Sequence, residues 1–261
     1  MRRFARLAVA VGLLAAATTA WAVTNTLSYT VTLKKGTGKP TAKKPVPVAY
    51  NAKLHIDTDP SGQQPDTAPV TSVYFPKQIK QNSKYLPSCS QADVDGQQEM
   101  PAKCNKAKVG TGTASALAGS PGSAASNSVK EDLNVVFLNG PKAKQVLLVL
   151  NSQPGAPVAI TNRVVPGDLG SAPAPFGYRV DFKIPEDLQN QLGLSIALTD
   201  FNVAITGKAF TVKVKGKKVK KGYLELTGCG EFPIRAIAHF KDSANGGANT
   251  DVTSDSKAKA C

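Results

Sequence analysis

Few residues in this 261-residue chain have the type and spacing that catalysis or metal binding requires. The two histidines, His55 and His239, lie far apart and outside any metal-ligand spacing such as H-E-x-x-H. No G-x-S-x-G motif supplies a serine nucleophile. His239 is also out of phase with the apolar residues of its predicted strand, so we expect it on the opposite, solvent-facing side. The sequence therefore predicts no catalytic residue, no cofactor and no metal site.

Paired carboxylates are the catalytic alternative that the sequence leaves open. A glycan-active enzyme needs two acidic side chains that face each other across a cleft, and sequence alone does not tell which ones do so. Two glutamates flank Cys229 and are candidates for near neighbours. The five glutamates are Glu99, Glu131, Glu186, Glu225 and Glu231.

Two short acidic segments resemble fragments of calcium-binding loops. The segment Asp93-Val94-Asp95-Gly96 has the aspartate spacing, but Ala102 stands where the closing glutamate would be. The segment Asp57-Thr58-Asp59 is shorter still. Because aspartate is also a common turn residue, we expect both segments to form turns and not to bind metal.

The first 22 residues predict the destination of the protein. A basic start at Arg2, Arg3 and Arg6 precedes an apolar run, and Ala20-Trp21-Ala22 fits the small-x-small rule for signal peptidase. We therefore expect a signal peptide over residues 1–22, cleavage after Ala22 and a secreted product. Retention of this segment as a membrane anchor is the alternative. No later run is long and apolar enough for a transmembrane helix.

Export would place all four cysteines in an oxidising compartment. Cys89, Cys104, Cys229 and Cys261 all follow the predicted cleavage point. An even number of cysteines in an oxidising compartment predicts two disulfides, with three possible pairings. The short loops that they would close favour Cys89–Cys104 and Cys229–Cys261, and Cys261 could instead pair between chains.

Lysine dominates the charge of the chain. The formal net charge is +14, yet only three arginines follow residue 22. Since arginine is the residue that recognises phosphate and bases by paired hydrogen bonds, the composition argues against specific nucleic-acid binding. The densest basic segment is a predicted hairpin that could bind an anionic polymer, or whose charge could prevent sheet-to-sheet aggregation. Its lysines are Lys213, Lys215, Lys217, Lys218, Lys220 and Lys221.

Apolar residues alternate with polar ones along most of the chain, as in half-buried strands. About ten such segments, separated by turns rich in glycine and proline, predict an all-β fold. We expect an antiparallel β-sandwich, jelly-roll or immunoglobulin-like. The run from Val146 to Leu150 is continuously apolar, as in a central strand, and a phase break near Asp200 predicts a bulge.

The remaining patterns predict one or two short helices and a loose C-terminus. Pro185-Glu186-Asp187 followed by Gly193 predicts a short helix, and Ser88 or Ser90 is a candidate cap for another. We expect one sandwich domain over residues 23–242. The small, polar segment 243–261 predicts a flexible tail that only the terminal cysteine holds.

One set of motifs resembles a group of secreted actinobacterial β-rich proteins of unknown function, which share the pattern FPxxI…LPxC…C…VGxGxA. The matching residues are Phe75, Pro76, Ile79, Leu86, Pro87, Cys89, Cys104, Val109, Gly110, Gly112 and Ala114. A late Gly228-Cys229 before an alternating strand is similar too, whereas Asn105 replaces the proline that often follows the second cysteine. The resemblance implies an extracellular β-rich domain and no particular activity. The glycines of this motif share one face of a strand, which permits close backbone approach or a bulge.

These observations together predict an exported, non-enzymatic structural or interaction protein of the cell envelope or extracellular space. Its expected partners are an anionic cell-wall polymer or another envelope protein. A secreted glycan-binding or glycan-active protein is the alternative.

Overall fold

The structure, a computed structural model, describes residues 23–243 and 246–261 and is built almost entirely of strands. The first eight strands are β1 Thr24–Lys35, β2 Val46–Asp59, β3 Val70–Pro76, β4 Ile79–Gln81, β5 Lys108–Gly119, β6 Val129–Asn139, β7 Gln145–Ser152 and β8 Arg163–Ser171. The next eight are β9 Phe176–Lys183, β10 Asn190–Gln191, β11 Leu194–Ile205, β12 Ala209–Val214, β13 Lys217–Gly222, β14 Leu224–Leu226, β15 Gly230–Asp242 and β16 Ala248–Ala260. The helices are α1 Gln91–Val94 and α2 Ala102–Asn105, and short 3-10 turns lie at Ser83–Tyr85, Ala125–Asn127, Pro141–Ala143 and Glu186–Leu188.

Fourteen of these strands form one antiparallel sheet, and β12 and β13 form a separate hairpin. The order in the large sheet is β16-β15-β3-β9-β8-β7-β6-β5-β11-β2-β14-β4, with β1 paired to β2 and β10 to β11. The predicted all-β, antiparallel, sandwich-like class is confirmed. The described residues contain more strands than the expected ten, because several short pieces also pair.

The large sheet wraps round its own apolar core. The backbone N–H groups of Tyr29 and Val31 on β1 donate to the hydroxyls of Ser254 and Ser256 on β16. These bonds join β16, at one end of the strand order, to β1, which pairs with β2 near the other end. As a result, alternate residues of nearly every strand face a common interior, whose core residues belong to one continuous cluster.

Strand β7 is continuously apolar because both of its faces are buried. Val146 and Leu148 belong to the main core, whereas Leu147 and Val149 belong to a second cluster on the outer face of the sheet. The segment with α1 and α2 covers this outer cluster, and the Cys89–Cys104 disulfide joins its two ends at a Cα–Cα distance of 5.0 Å. The predicted central strand is confirmed.

The bulge in β11 is also confirmed, whereas the helix predicted before it is wrong. The register with β5 shifts between Leu198 and Asp200, which leaves Thr199 as the extra residue. Upstream, the expected helix is a 3-10 turn at Glu186–Leu188 followed by the β10–β11 hairpin. Leu192 and Gly193 have φ of 53° and 80°, as a type I′ hairpin turn requires. The glycine that resembles a helix stop therefore closes a hairpin.

The predicted flexible tail at residues 243–261 is wrong, because most of it forms strand β16. Thirteen residues pair in continuous register with β15, from Gly230–Ala260 to Asp242–Ala248. Ala258 and Ala260 are buried in the core, so small side chains here indicate close packing. The Cys229–Cys261 disulfide joins β16 to the start of β15, at a Cα–Cα distance of 5.3 Å. The favoured pairing of all four cysteines is confirmed.

The two disulfides indicate an oxidising environment such as the extracellular space. The predicted signal peptide lies outside the described residues. Within the part of the chain that the structure describes, no helix combines the length and the apolar character that a membrane span requires.

Candidate functional site

The inner face of β5 is made of small residues. Gly110, Gly112, Ala114, Ala116 and Ala118 recur at every second position along this strand. A Cβ atom added at Gly112 would lie 2.1 Å from the carbonyl oxygen of Asn202 on β11, so the expected close backbone approach is confirmed. The three alanines line an interior cavity, because their side chains do not reach the opposite wall of the sheet.

The interior cavity has a volume of about 220 Å³ and an almost wholly apolar lining. An empty apolar cavity lowers stability because the side chains that line it lose packing contacts. At about 30 Å³ each, the same volume accommodates roughly seven groups of the size of water or methylene. An apolar pocket of this kind with a few polar groups is typical of a small-molecule site.

Tyrosine hydroxyls provide several of the polar atoms in the cavity wall. Tyr29 and Tyr50 share a hydrogen bond, and Gln81 Nε2 donates to the Tyr223 hydroxyl at 2.5 Å. Burial raises the pKa of Tyr29 and Tyr50 above the ordinary range and that of Tyr223 to about 12. These hydroxyls therefore stay neutral at physiological pH.

The Tyr178 hydroxyl has no hydrogen-bond partner among the described residues, although it is shielded from solvent. The Tyr178 ring stacks on Phe75 with a centroid distance of 4.9 Å and an interplanar angle of 8°. Burial raises the pKa of this hydroxyl as well, so it keeps its proton and can donate it. Because a buried, unpaired polar group costs stability, Tyr178 is the residue of the wall whose presence most needs a functional reason.

The interior cavity reaches the surface at the end opposite Tyr178. Val129 and Val158 both line the cavity and are 44% and 38% exposed. Glu131 lies on the same strand as Val129, two residues further on, is 7% exposed and also lines the cavity. Its carboxylate accepts hydrogen bonds from the Ser152 hydroxyl at 2.6 Å and from the Val158 amide at 3.3 Å. We call this the Glu131 end.

A surface cleft of about 780 Å³ adjoins the other end of the cavity. Five lysines from three segments of the chain line it, and we call it the lysine cleft. Tyr85 presents its ring to Lys84 at 4.8 Å and to Lys221 at 5.5 Å, measured from Nζ to the ring centroid. The lysines are Lys43, Lys77, Lys80, Lys84 and Lys221. Gln81 and Tyr178 line both the cleft and the interior cavity, so we call them the gate pair.

The structure divides the predicted lysine patch between the hairpin and the cleft. Lys213 and Lys218 face each other across the hairpin, and Lys215 precedes Gly216 at its tip. Lys220 is exposed on the same side as Lys213, whereas Lys217 pairs with Val214. Lys221 alone turns into the lysine cleft, where its Nζ lies 3.6 Å from Glu225 Oε2.

Sequence reasoning did not find a serine–histidine–aspartate cluster on the outer face of the sheet. His239 Nδ1 lies 2.6 Å from Asp251 Oδ1, and His239 Nε2 lies 3.3 Å from Ser72 Oγ. These distances resemble a catalytic triad. However, Ser72 is 3% exposed, and its hydroxyl donates to Asp181 at 2.7 Å. The cluster is therefore a polar network that links neighbouring strands, with His239 on the predicted outward side.

The acidic candidates have structural partners. Asp93 accepts hydrogen bonds from the backbone and hydroxyl of Ser90 at the start of α1. It also lies near Cys89 and Cys104, but those sulfurs are bonded to each other and so cannot be thiolate ligands. Asp95 accepts hydrogen bonds from Arg163 and Val164.

The two glutamates that flank Cys229 have different partners. The Glu225 carboxylate is buried and accepts a hydrogen bond from the Gly222 amide at 3.1 Å. Glu231 is exposed and lies 3.8 Å from Lys257 on β16. The structure therefore gives each of these carboxylates its own ion pair.

No family model, curated protein or solved structure matches this chain. The resemblance to secreted actinobacterial proteins therefore stays a prediction. The features of the molecule that indicate a function are the interior cavity, the gate pair and the lysine cleft.

Proposed function

We propose that this protein is an exported, non-enzymatic binding protein that holds an apolar ligand inside its wrapped sheet. The observation that carries the proposal is the apolar interior cavity of about 220 Å³. The two disulfides support a working place outside the cytoplasm, in the cell envelope or beyond it.

The small inner face of β5 favours binding over a purely structural role. A sheet that served only as a scaffold would be more stable if leucine or valine replaced alanine at positions such as Ala114 and Ala116, because larger side chains would fill the cavity. A bound apolar ligand recovers the packing that these alanines leave out, and it stabilises the folded state in proportion to its occupancy.

A glycan ligand fits this cavity less well. Sugar hydroxyls lose hydrogen bonds to water when they are buried, and they need protein partners to replace them. The described lining is mostly aliphatic and aromatic, and Glu131 is already hydrogen bonded to Ser152 and Val158. The geometry thus favours an apolar ligand over the glycan alternative.

Binding of a neutral apolar fluorophore tests the proposal. N-phenylnaphthylamine fluoresces strongly in apolar surroundings, and we expect one saturable site per chain. The variant Ala116→Leu fills part of the cavity and is expected to weaken probe binding at least tenfold, or by about 1.4 kcal/mol. The matched control Thr111→Leu adds a larger side chain on the exposed face of the same strand and should leave binding unchanged.

Thermal unfolding separates lost binding from lost folding. Because the introduced leucine side chain would occupy existing space, Ala116→Leu should melt at or above the wild-type temperature. The smaller change Ala114→Val provides a second test if the first variant is poorly folded. Absence of saturable probe binding to the wild type, or equal binding by Ala116→Leu, would contradict the proposal.

The outward lysines of the hairpin support a second function, attachment to an anionic cell-wall polymer or to an acidic envelope protein. Lys213 and Lys218 lie directly opposite each other, and such like-charged pairs repel unless an anion lies between them. Sedimentation with purified wall fractions over a salt series tests this function. Binding that does not weaken with salt would contradict an electrostatic attachment.

A further inference from the structure

The gate pair is the thinnest barrier between the interior cavity and the lysine cleft. Tyr178 and Gln81 each line both spaces, so the apolar interior and the charged surface meet at these two side chains. The Tyr178 hydroxyl lacks a partner at this boundary, and the Gln81 amide already bonds Tyr223. A ligand group that reached the gate pair would therefore meet a hydrogen-bond donor without an acceptor.

We infer that the ligand is a long-chain anion, with its chain in the interior cavity and its charged head group in the lysine cleft. The inference rests on the proposed function and adds the ligand's charge and its direction in the sheet. The relevant chemistry is a single carboxylate or phosphate on an unbranched hydrocarbon chain.

Charge determines the direction in which such a ligand binds. The lysine cleft has five ammonium groups and the buried Glu225 carboxylate, 3% exposed, which Lys221 already neutralises. Lys43, Lys77, Lys80 and Lys84 make no ion pair with any described residue. At the opposite end the cavity is lined by the Glu131 carboxylate, which repels an anion. An anionic head is therefore favoured in the cleft and disfavoured at the Glu131 end.

The dimensions of the cavity match a hydrocarbon chain. Tyr178 and Ile184 both line it and are six residues apart along β9 and its continuation. At a rise of roughly 3.3 Å per residue, they are about 20 Å apart. At about 30 Å³ each, the volume accommodates roughly seven methylene-sized groups. A twelve-carbon chain that starts at the gate pair thus places roughly seven carbons in the cavity, and its last carbons extend past the exposed valines of the Glu131 end.

The test compares ligands with the same chain and different heads. Laurate, dodecyl phosphate and dodecanol compete with N-phenylnaphthylamine for the wild-type protein at low salt. We expect both anions to displace the probe about tenfold more effectively than dodecanol, because nearby lysines attract the head group. The preference should shrink at high salt, since part of the cleft is exposed to solvent.

Paired lysine variants locate the head group. In Lys80→Gln/Lys84→Gln the preference for laurate over dodecanol should largely disappear, while dodecanol binding stays the same. The control Lys213→Gln/Lys218→Gln removes the same charge from the outward face of the hairpin, and it should keep the preference. Circular dichroism checks that both variants are folded.

Failure of the inference differs from failure of the proposed function. If the neutral probe and dodecanol bind but neither anion is preferred, the anionic ligand is refuted and apolar binding stands. A preference that survives Lys80→Gln/Lys84→Gln, or that the hairpin control also loses, overturns the lysine cleft as its cause. If neither the probe nor dodecanol binds, both proposals fail.

Discussion

Removal of the unpaired hydroxyl from the cavity wall tests the description of the interior directly. We expect Tyr178→Phe to stabilise the ligand-free protein, because the hydroxyl is buried and has no partner among the described residues. The change keeps the aromatic ring and its stacking on Phe75. A buried polar group without a hydrogen bond costs about 1 to 3 kcal/mol, so the free energy of unfolding should rise by about that amount.

The same substitution at Tyr223 should have the opposite effect. The Tyr223 hydroxyl accepts a hydrogen bond from Gln81 Nε2 at 2.5 Å, and its removal leaves that amide without its partner. We expect Tyr223→Phe to lower the free energy of unfolding by about 1 kcal/mol. The opposite signs distinguish loss of an unpaired hydroxyl from a general effect of replacing tyrosine.

Guanidinium unfolding and thermal melting, both monitored by far-ultraviolet circular dichroism with the two disulfides intact, measure these changes. For a chain of this size, 1 kcal/mol corresponds to a shift of about 2 to 4 °C in the melting temperature. If Tyr178→Phe is less stable than the wild type, the hydroxyl has a stabilising partner and the reasoning is refuted. A shift of the same sign in both variants would refute it as well.

Three further predictions concern the terminal disulfide, strand β5 and helix α1. Replacement of both Cys229 and Cys261 by alanine should lower stability by about 3 to 4 kcal/mol in urea unfolding, since the bridge closes a loop of 32 residues. Gly112→Ala should lower stability by about 1 to 3 kcal/mol, because its Cβ would meet the neighbouring strand's carbonyl oxygen. Hydrogen bonds from Lys103 and, next in size, from Ser90 lower the pKa of the Asp93 carboxyl to about 2. The ionised carboxylate should therefore stabilise the fold above about pH 4, and this contribution should be lost as pH falls from about 4 to 2.

Matched variants make these three predictions decisive. Thr113→Ala, on the exposed face of the same strand, should change stability far less than Gly112→Ala. Carbon-13 NMR titration should show the Asp93 pKa rising in Lys103→Ala and unchanged in Lys106→Ala. An unchanged Asp93 pKa in Lys103→Ala would exclude this ion pair as its cause. Equal urea midpoints with and without the Cys229–Cys261 bridge would show that β16 is held by pairing alone.

The sequence determined the strands and much of their detail. Alternation along β2 and β15 identifies the buried side, because successive side chains of a strand point to opposite faces. The unbroken apolar run of β7 predicts a strand buried on both faces, and the phase break at Asp200 predicts the bulge at Thr199. The order of the cysteines and the short loops between them favour the observed pairing. Each of these properties depends on neighbours in the chain.

Two errors of sequence reasoning have a common cause. The segment after Pro185 combines a helix start with Gly193, and residues 243–261 are small and polar, so local signals predict a helix and a tail. Pairing with distant strands decided otherwise. Residues Asn190–Gln191 pair with β11, and Ala248–Ala260 pair with β15. Hydrogen bonding to a neighbouring strand outweighs the weak local preference of these residues for a helix or a loop. Local sequence patterns do not identify which strand becomes the neighbour.

The candidate site was decided only by the tertiary structure. Small residues at alternate positions of β5 are visible in the sequence, but they form a cavity only because the opposite walls of the sheet stay too far away to fill it. Lys43, Lys80 and Lys221 are distant in the chain but line one cleft. Strand β14, which follows Lys221, pairs both with β4, which contains Lys80, and with β2, which follows Lys43. The volume of the cavity and the electrostatic potential in the cleft depend on residues from many segments of the chain. Those residues come together only after the sheet has wrapped round its core.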